Sequence, residues 1–455
     1  MSETISRRNF LVGCCSAIAA MAGSKITNLA FTNPNAAASS TDNEIVVVVF
    51  LRGGWDALNV VMPIAGADRG YYEAARPFLK VPVSGANAAI NLNGQFGMHP
   101  AMAPLTGLYQ SRKLAFIHAA GLTYDTRSHF DAQEFIELGT PGVKTTSSGW
   151  LTRFLANTPL PPTVLIPALS AGGSQAMSLL GRPDAVSMSS PSGFTLNGNW
   201  QYQDLQRAAL RDLYNGSSWL ETAGTDTLNT VDTIATSNPG TYTPSNGAVY
   251  PNSSFGANLQ AVAQLIKMGV GLRAATIDVG GWDTHEHEGD GGTGYFADNQ
   301  LKPLAQGMAA FYTDLNGSCP TNYIQHTTLV VMSEFGRRLK ENANRGTDHG
   351  HGSVMMALGG NVKGGQIYGQ WPGLANDQLY DRADLAVTTD YRRVVGEILN
   401  RRLGIADVST IFPTYSGYAP IDFMVDNSPH IVTIPPGQIP RVFLPSVSSG
   451  SAVCQ

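Results

Sequence analysis

Four of the nine histidines fall in two short polar clusters. One reads Gly280-Gly281-Trp282-Asp283-Thr284-His285-Glu286-His287-Glu288, the other Thr347-Asp348-His349-Gly350-His351-Gly352. Between them, directly after the apolar run 328–332, lies Ser333-Glu334-Phe335-Gly336-Arg337. Imidazoles and carboxylates at this density, on glycine-rich turns beside strands, offer the nitrogen and oxygen donors that a divalent metal takes. Asp283, His285 and His287 are spaced so that a loop can turn two of them toward one ion. Asp348, His349 and His351 form a second group that would close the same site. Zinc is the simplest ion for such a donor set. Asp56, several residues beyond a strand, and Glu334, at a strand end, would hold a second, harder ion such as Mg or Ca through oxygen, or orient a nucleophile.

Ser128 is the candidate nucleophile, activated by the metal, and it reads equally as a helix N-cap. Thr126 is the substitute. Arg52 and Arg127 are the candidate anion clamps, because a guanidinium forks onto phosphate or sulfate oxygens. His99 and His129 read as supporting residues or as hydrogen-bonded core residues. His118, His326 and His430 read as structural.

These residues need a scaffold, and the apolar pattern supplies one. The β-branched run 45–50 has the look of a central parallel strand buried on both faces, and it ends in Leu51-Arg52-Gly53-Gly54-Trp55-Asp56. Strands are expected over 114–119, 273–279, 328–333 and 354–358. Helices are expected over about 100–110, 131–138, 201–214, 258–269, 295–316 and 389–403. Alternation of strands and helices predicts an α/β domain with a mostly parallel sheet and helices on both faces. In such sheets, sites form beyond the carboxyl ends of the strands. The Pro-, Gly- and Ser-rich stretch from about 155 to 250 reads as a loop-rich insertion, and the segment from about 412 as an extended tail packed on the surface.

The first 38 residues read as a targeting signal: Ser6-Arg7-Arg8-Asn9-Phe10-Leu11 is a twin-arginine pattern, followed by an apolar stretch too short to span a bilayer and by Ala36-Ala37-Ala38. That predicts export through the twin-arginine translocase, which carries folded proteins, to a periplasmic or secreted location. A competing lipobox, Leu11-Val12-Gly13-Cys14, would instead anchor the chain by lipid at Cys14. Residues 39–455 then form one domain. Cys319 and Cys454, the two cysteines beyond the signal, are free to form a disulfide in an oxidising compartment. A charged share of only 14% and a net charge of −5, with no basic tract, leave nucleic-acid binding without support.

Taken together, the segments Phe50–Asn59, Ser128–Gln133, Gly281–His285, Ser333–Arg337 and Thr347–Gly352, with the signal, resemble an exported bacterial family catalogued as domain of unknown function 1501. That family is similar to a distant branch of the alkaline phosphatase and sulfatase superfamily. The resemblance implies a doubly wound sheet, one or two metal ions, and attack by a hydroxyl on a phosphate or sulfate ester. By position, Asp56 resembles the first-strand metal aspartate, Ser128 or Thr126 the nucleophile, and Asp283 with His285 or His287 the aspartate–histidine metal pair. His349 or His351 resembles the late metal histidine. Gly346-Thr347-Asp348-His349 is similar to the late segment of phosphopentomutases. Three departures stand out: Glu334-Phe335 occupies the place of an Asp-His pair, Asp56 lies several residues beyond its strand and not at its end, and no Cys-x-Pro-x-Arg signature is present, which excludes a formylglycine nucleophile. The expected function is an exported metal-dependent hydrolase of small-molecule or glycan phosphate or sulfate esters. One alternative is a catalytically degenerate descendant that acts as a periplasmic or surface binding protein. Another is a metal-dependent oxidoreductase, which would show three histidines around one ion and no anion-binding arginine.

Overall fold

The computed structural model describes residues 44–426 except 161–163, 197 and 319–321. The signal segment, Cys14, Cys319, His430 and Cys454 lie outside the described residues. No helix among the described residues is long and apolar enough to cross a membrane.

The run Ile45–Leu51 forms β1, and all seven residues are buried. Its side chains alternate between two cores. Ile45, Val47, Val49 and Leu51 enter one, and Val46, Val48 and Phe50 enter the other. A strand apolar on both faces must be covered on both faces. Ser254–Met268 and Lys302–Leu315 cover the first side. His129–Leu138, Trp150–Ala156 and Tyr391–Arg401 cover the second.

In chain order the remaining strands are β2 (Val61–Pro63), β3 (Ile90–Asn91), β4 (Phe96–Met98), β5 (Leu114–Gly121), β6 (Ala168–Ala171) and β7 (Ala185–Met188). They continue with β8 (Ala274–Val279), β9 (Thr327–Ser333), β10 (Arg337–Glu341), β11 (Thr347–His349), β12 (Ser353–Gly359), β13 (Ile367–Tyr368) and β14 (Thr389–Asp390). Nine of them form the central sheet in the order β13-β5-β12-β9-β1-β8-β6-β7, with β14 also on β5. Every pair is parallel except those of β12, which runs against β5 and β9. The protein is therefore a mixed α/β fold with a large, mostly parallel sheet.

Two features depart from expectation. β12 was expected as another strand of the series, yet it is reversed, because only the tight β10–β11 hairpin separates it from β9. The stretch read as an insertion begins by adding β6 and β7 to the sheet edge. It also carries the helix Trp219–Thr236, which opens on a capping box at Ser218 and Glu221. In the C-terminal segment, Phe412, Phe423 and Met424 enter the second core instead of lying on the surface.

The strand directions settle where chemistry can collect. β1, β5, β8 and β9 all end on one edge, and β12 starts there, with Ser353 opposite Ala120 of β5. Five segments rich in polar residues thus meet at one edge: 52–56, 122–131, 280–288, 334–337 and 347–352.

Beneath them, Asp56 and Arg76 form an ion pair in which both side chains are 0% exposed. Arg76 also donates to the carbonyls of Leu339 (2.8 Å) and Arg338 (2.9 Å), so the pair fastens the turn after β1 to β10. Glu288 is buried beside them and accepts from the hydroxyls of Thr284 and Thr347, each at 2.9 Å. Burial, then the charge of Asp56, pushes the Glu288 carboxyl well above its usual range.

Removing one half of the buried pair by Asp56→Ala is expected to cost about 3–5 kcal/mol in chemical denaturation; a loss below about 1 kcal/mol would contradict this structural role. A carboxyl whose pKa is higher folded than unfolded stabilises less as pH rises above its unfolded value of 4.5. Glu288→Gln should therefore gain stability relative to wild type between pH 5 and pH 8, measured as the difference in denaturation midpoints.

Candidate metal centre

Asp283 follows β8 by four residues, and buried Trp282 fixes its place by packing edge-on against Trp55 at 5.7 Å. Gly53 lies against this backbone. A Cβ there would stand 2.4 Å from Asp283 N, so only glycine lets the two strand ends approach so closely. Thr347 N–H donates to Thr284 O at 3.0 Å, which joins the loop of Asp283 and His285 to the strand of His349.

Three histidines converge on Asp283. His285 Nε2 is 3.0 Å and His349 Nε2 is 3.1 Å from Asp283 Oδ1, and the two Nε2 atoms are 2.9 Å apart. His129 Nε2 is 3.3 Å from Asp283 Oδ2, buried, and without a hydrogen-bond partner. His129, Asp283 and His349 each present a ligand atom within 4.8 Å of the others.

The other ring nitrogen of each histidine faces an oxygen acceptor. His129 Nδ1 is 2.7 Å from Glu334 Oε1, His285 Nδ1 is 3.3 Å from Asp348 Oδ1, and His349 Nδ1 is 2.8 Å from Arg127 O. Metal-binding histidines are held in this way by a carboxylate or carbonyl on the far nitrogen, which fixes the tautomer and bares Nε2. With Nδ1 as the donor, the Nε2 lone pairs of His285 and His349 face each other at 2.9 Å, an arrangement that a shared proton or a bound cation would relieve. Ligands about 2.1 Å from one tetrahedral ion sit about 3.4 Å from one another, and the separations of 2.9, 3.0 and 3.1 Å among Asp283, His285 and His349 fall a little inside this. These residues fit a divalent metal.

The electrostatics agree. Burial would raise the Asp283 pKa, but Arg337, His349 and His129 outweigh it and hold the carboxylate at about 2. Burial lowers the His349 pKa, which favours the neutral form that binds metal. Burial also pulls on His129, yet the carboxylates of Glu334 and Asp283 reverse it and raise its pKa, so a metal at Nε2 would have to displace a proton. Burial would raise the Glu334 pKa too, and its hydrogen bonds from His129 and Gln133 more than offset that.

The other expected site residues take supporting or separate places. Glu334 has no room for an ion: Oε1 accepts from Gly53 N–H, His129 and Gln133, and Oε2 from Ser333. Asp348 backs His285 and accepts from Asn342, which holds its pKa low. Asp56 is sealed in its pair with Arg76. His287 is exposed at φ +50° and joins no contact in the cluster. His351 is buried and stacked on Tyr380 at 4.2 Å. Ser128 caps the helix His129–Leu138 by accepting from Asp131 N–H, and Thr126 accepts from Ser128 N–H. Arg52 is paired with Glu137 and Asp278, and Arg127 with Asp384 and Asp381.

Two residues carry more than their sequence context suggested. His129 follows Ser128 at the end of the β5 loop, and Gln133, four residues on along the same helix face, grips the same carboxylate. Arg337, noted in the sequence only as the end of the segment Ser333–Arg337, is buried, donates to Asp283 at 2.5 Å and to Thr347 O at 2.6 Å, and also reaches the carbonyls of Gly53, Gly54 and Trp282.

Residues 237–411 match the model of a family described as protein of unknown function (DUF1501). The matched stretch holds Asp283, His285, Glu334, Arg337 and His349, and it supports a place in that family. No curated protein matches the chain.

Because Glu334 orients His129 without touching an ion, Glu334→Gln is expected to weaken metal affinity about 10–100-fold and keep the fold. Competition titration with a chromophoric chelator measures this, and unchanged affinity would remove His129 from the ligand set.

Proposed function

We propose that the chain is an exported metal-dependent hydrolase of phosphate or sulfate esters, in which His129, His285, His349 and Asp283 would hold one divalent ion. Zinc is the simplest choice for three imidazoles and one carboxylate. The observation that carries this reading is the shared orientation of the histidines. Three Nδ1 atoms are engaged by oxygen, and three Nε2 atoms turn toward one carboxylate. Bound there, a divalent ion would lower the pKa of water and neutralise charge on the transferred group.

The chain's own residues set the rest. Asp283 is 45% exposed, so the cluster opens to solvent and a substrate can reach it. Ser128 and Thr126 are engaged in capping the helix, and neither hydroxyl meets a side-chain base among the described residues. The nucleophile is accordingly assigned to water and not to either hydroxyl. The mostly parallel sheet, with its ligands beyond the carboxyl ends of β5 and β8, supports an alkaline phosphatase-like arrangement, and the Ser6–Leu11 motif supports export.

A redox role is the second reading, favoured by the count of three imidazoles and by the pairing of Arg52, Arg127 and Arg337 with carboxylates. Elemental analysis of protein made through its export route separates the readings, run beside His285→Ala and His349→Ala. About one equivalent of zinc, lost in both variants, with hydrolysis of an ester panel that survives Ser128→Ala, is the expected result. Iron or copper with a reducible absorption band would favour the redox reading. Metal without turnover would leave a binding protein. No metal, with a melting temperature unmoved by chelator, would end the proposal.

A further inference from the structure

Asp56, Arg76 and Glu288 lie sealed beneath the ligand loops, each at most 1% exposed. Two acids thus meet one base, whose guanidinium is forked onto Asp56. An unmatched carboxylate is costly to bury, and a group placed this way takes up a proton instead. The surrounding residues supply no second cation. His99 borders the same small cavity as Glu288, and burial lowers its pKa to about 4. Burial pushes the Tyr72 phenol up, so it stays neutral. Glu341 on β10 accepts from the N–H groups of Phe78 and Leu79, and Asp290 is paired with Arg345.

The two oxygens of Glu288 are used differently. Oε2 accepts from the hydroxyls of Thr284 and Thr347, each at 2.9 Å. Oε1 is buried and accepts from no donor, while the Asp56 carboxyl is within hydrogen-bonding reach of Glu288. Two ionised carboxylates only accept, so they cannot bond each other; with one proton between them they can. A proton on Oε1 accounts for both oxygens. Oε2 is then the carbonyl oxygen, with two lone pairs for two threonines, and Oε1 donates to Asp56. Both threonines belong to the ligand segments: Thr284 stands between Asp283 and His285, and Thr347 two residues before His349. Glu288 therefore ties the loop after β8 to β11 by side chains, beside the backbone bond from Thr347 N–H to Thr284 O.

We infer that Glu288 is a positioning residue of the metal centre, and that it acts as a neutral acid sharing its proton with Asp56. The positioning role rests on the metal centre proposed above; the shared proton does not. The neutral form is what lets one side chain serve both partners. An ionised Glu288 would repel Asp56 and compete for Arg76, which fastens the turn after β1 to β10.

The proton is read by infrared difference spectroscopy of the full chain, wild type against Glu288→Gln, at about pH 8, where an ordinary carboxyl is ionised. The carbonyl band of a protonated carboxyl is expected in the wild type and absent from the variant. No such difference would overturn the shared proton. The positioning is read by competition titration of zinc. Glu288→Ala gives up both threonines and should bind zinc about 10–100-fold more weakly. Glu288→Gln keeps an acceptor for the threonines and an N–H for Asp56, so it should rescue affinity to within about twofold of wild type. Thr347→Val removes one hydroxyl at nearly constant shape and should weaken zinc about tenfold; it decides the matter should Glu288→Ala not fold. Unchanged affinity in Thr347→Val and Glu288→Ala would overturn the positioning role. Glu288→Gln as weak as Glu288→Ala would overturn the neutral form. A wild type that takes up no zinc would overturn the positioning role together with the metal centre, and the infrared difference would still decide the proton.

Discussion

The candidate site depends on one buried guanidinium. Arg337 lies where the ends of β1 and β8 meet β11, and it spends its donors on four backbone carbonyls and the Asp283 carboxylate. Three of these carbonyls, of Gly53, Gly54 and Trp282, belong to the segments after β1 and β8 and the fourth, of Thr347, to β11, and carbonyls buried at a strand edge must find donors. A planar fork with five N–H groups meets that demand in one residue, which an ammonium cannot do. The charge this buries is matched by Asp283, which Arg337 keeps ionised. The same contact that joins the loops therefore also fixes the anionic member of the candidate metal cluster.

Support for the histidines is distributed in the same economical way. Glu334 comes from the end of β9, Asp348 from β11, and the Arg127 carbonyl from the loop after β5. Three elements each set one imidazole, so no single loop shift can displace all three. Underneath, Asp56, Arg76 and Glu288 form a buried layer that joins the segments by charge and hydrogen bonds without taking part in the cluster. The centre is thus a solvent-facing group of ligands on a dry polar base, which suits a site that must be both rigid and accessible.

Much of this was legible in the sequence. The apolar run of β1 announced a doubly covered strand, and β5, β8 and β9 followed from similar runs. The two polar clusters that hold Asp283, His285 and His349 were visible as polar density after strands, but the choice of His285 over His287 and of His349 over His351 was not. What escaped has physical reasons. β6 and β7 are short and rich in Ala and Ser, so their burial comes from neighbours and not from their own pattern. The reversal of β12 depends on a hairpin whose strands alternate weakly. Asp56 and His351 share the residue types of ligands, and only three-dimensional pairing with Arg76 and Tyr380 reveals their separate roles. His129 looked ordinary because its meaning lies in Glu334, more than two hundred positions away.

The placement of the arginines bears most directly on function. Three of them lie against the strand-edge loops, and each is neutralised by a carboxylate of the protein. Their charges hold loops in place, and so they add little field for an arriving anion. A catalyst of ester hydrolysis with this layout must draw its binding energy for the charged group from the metal cluster and from side chains outside the packed loops. Separating the cations that build the site from whatever groups meet a substrate also lets substrate preference drift through surface residues while the candidate ligand set and its supports stay unchanged.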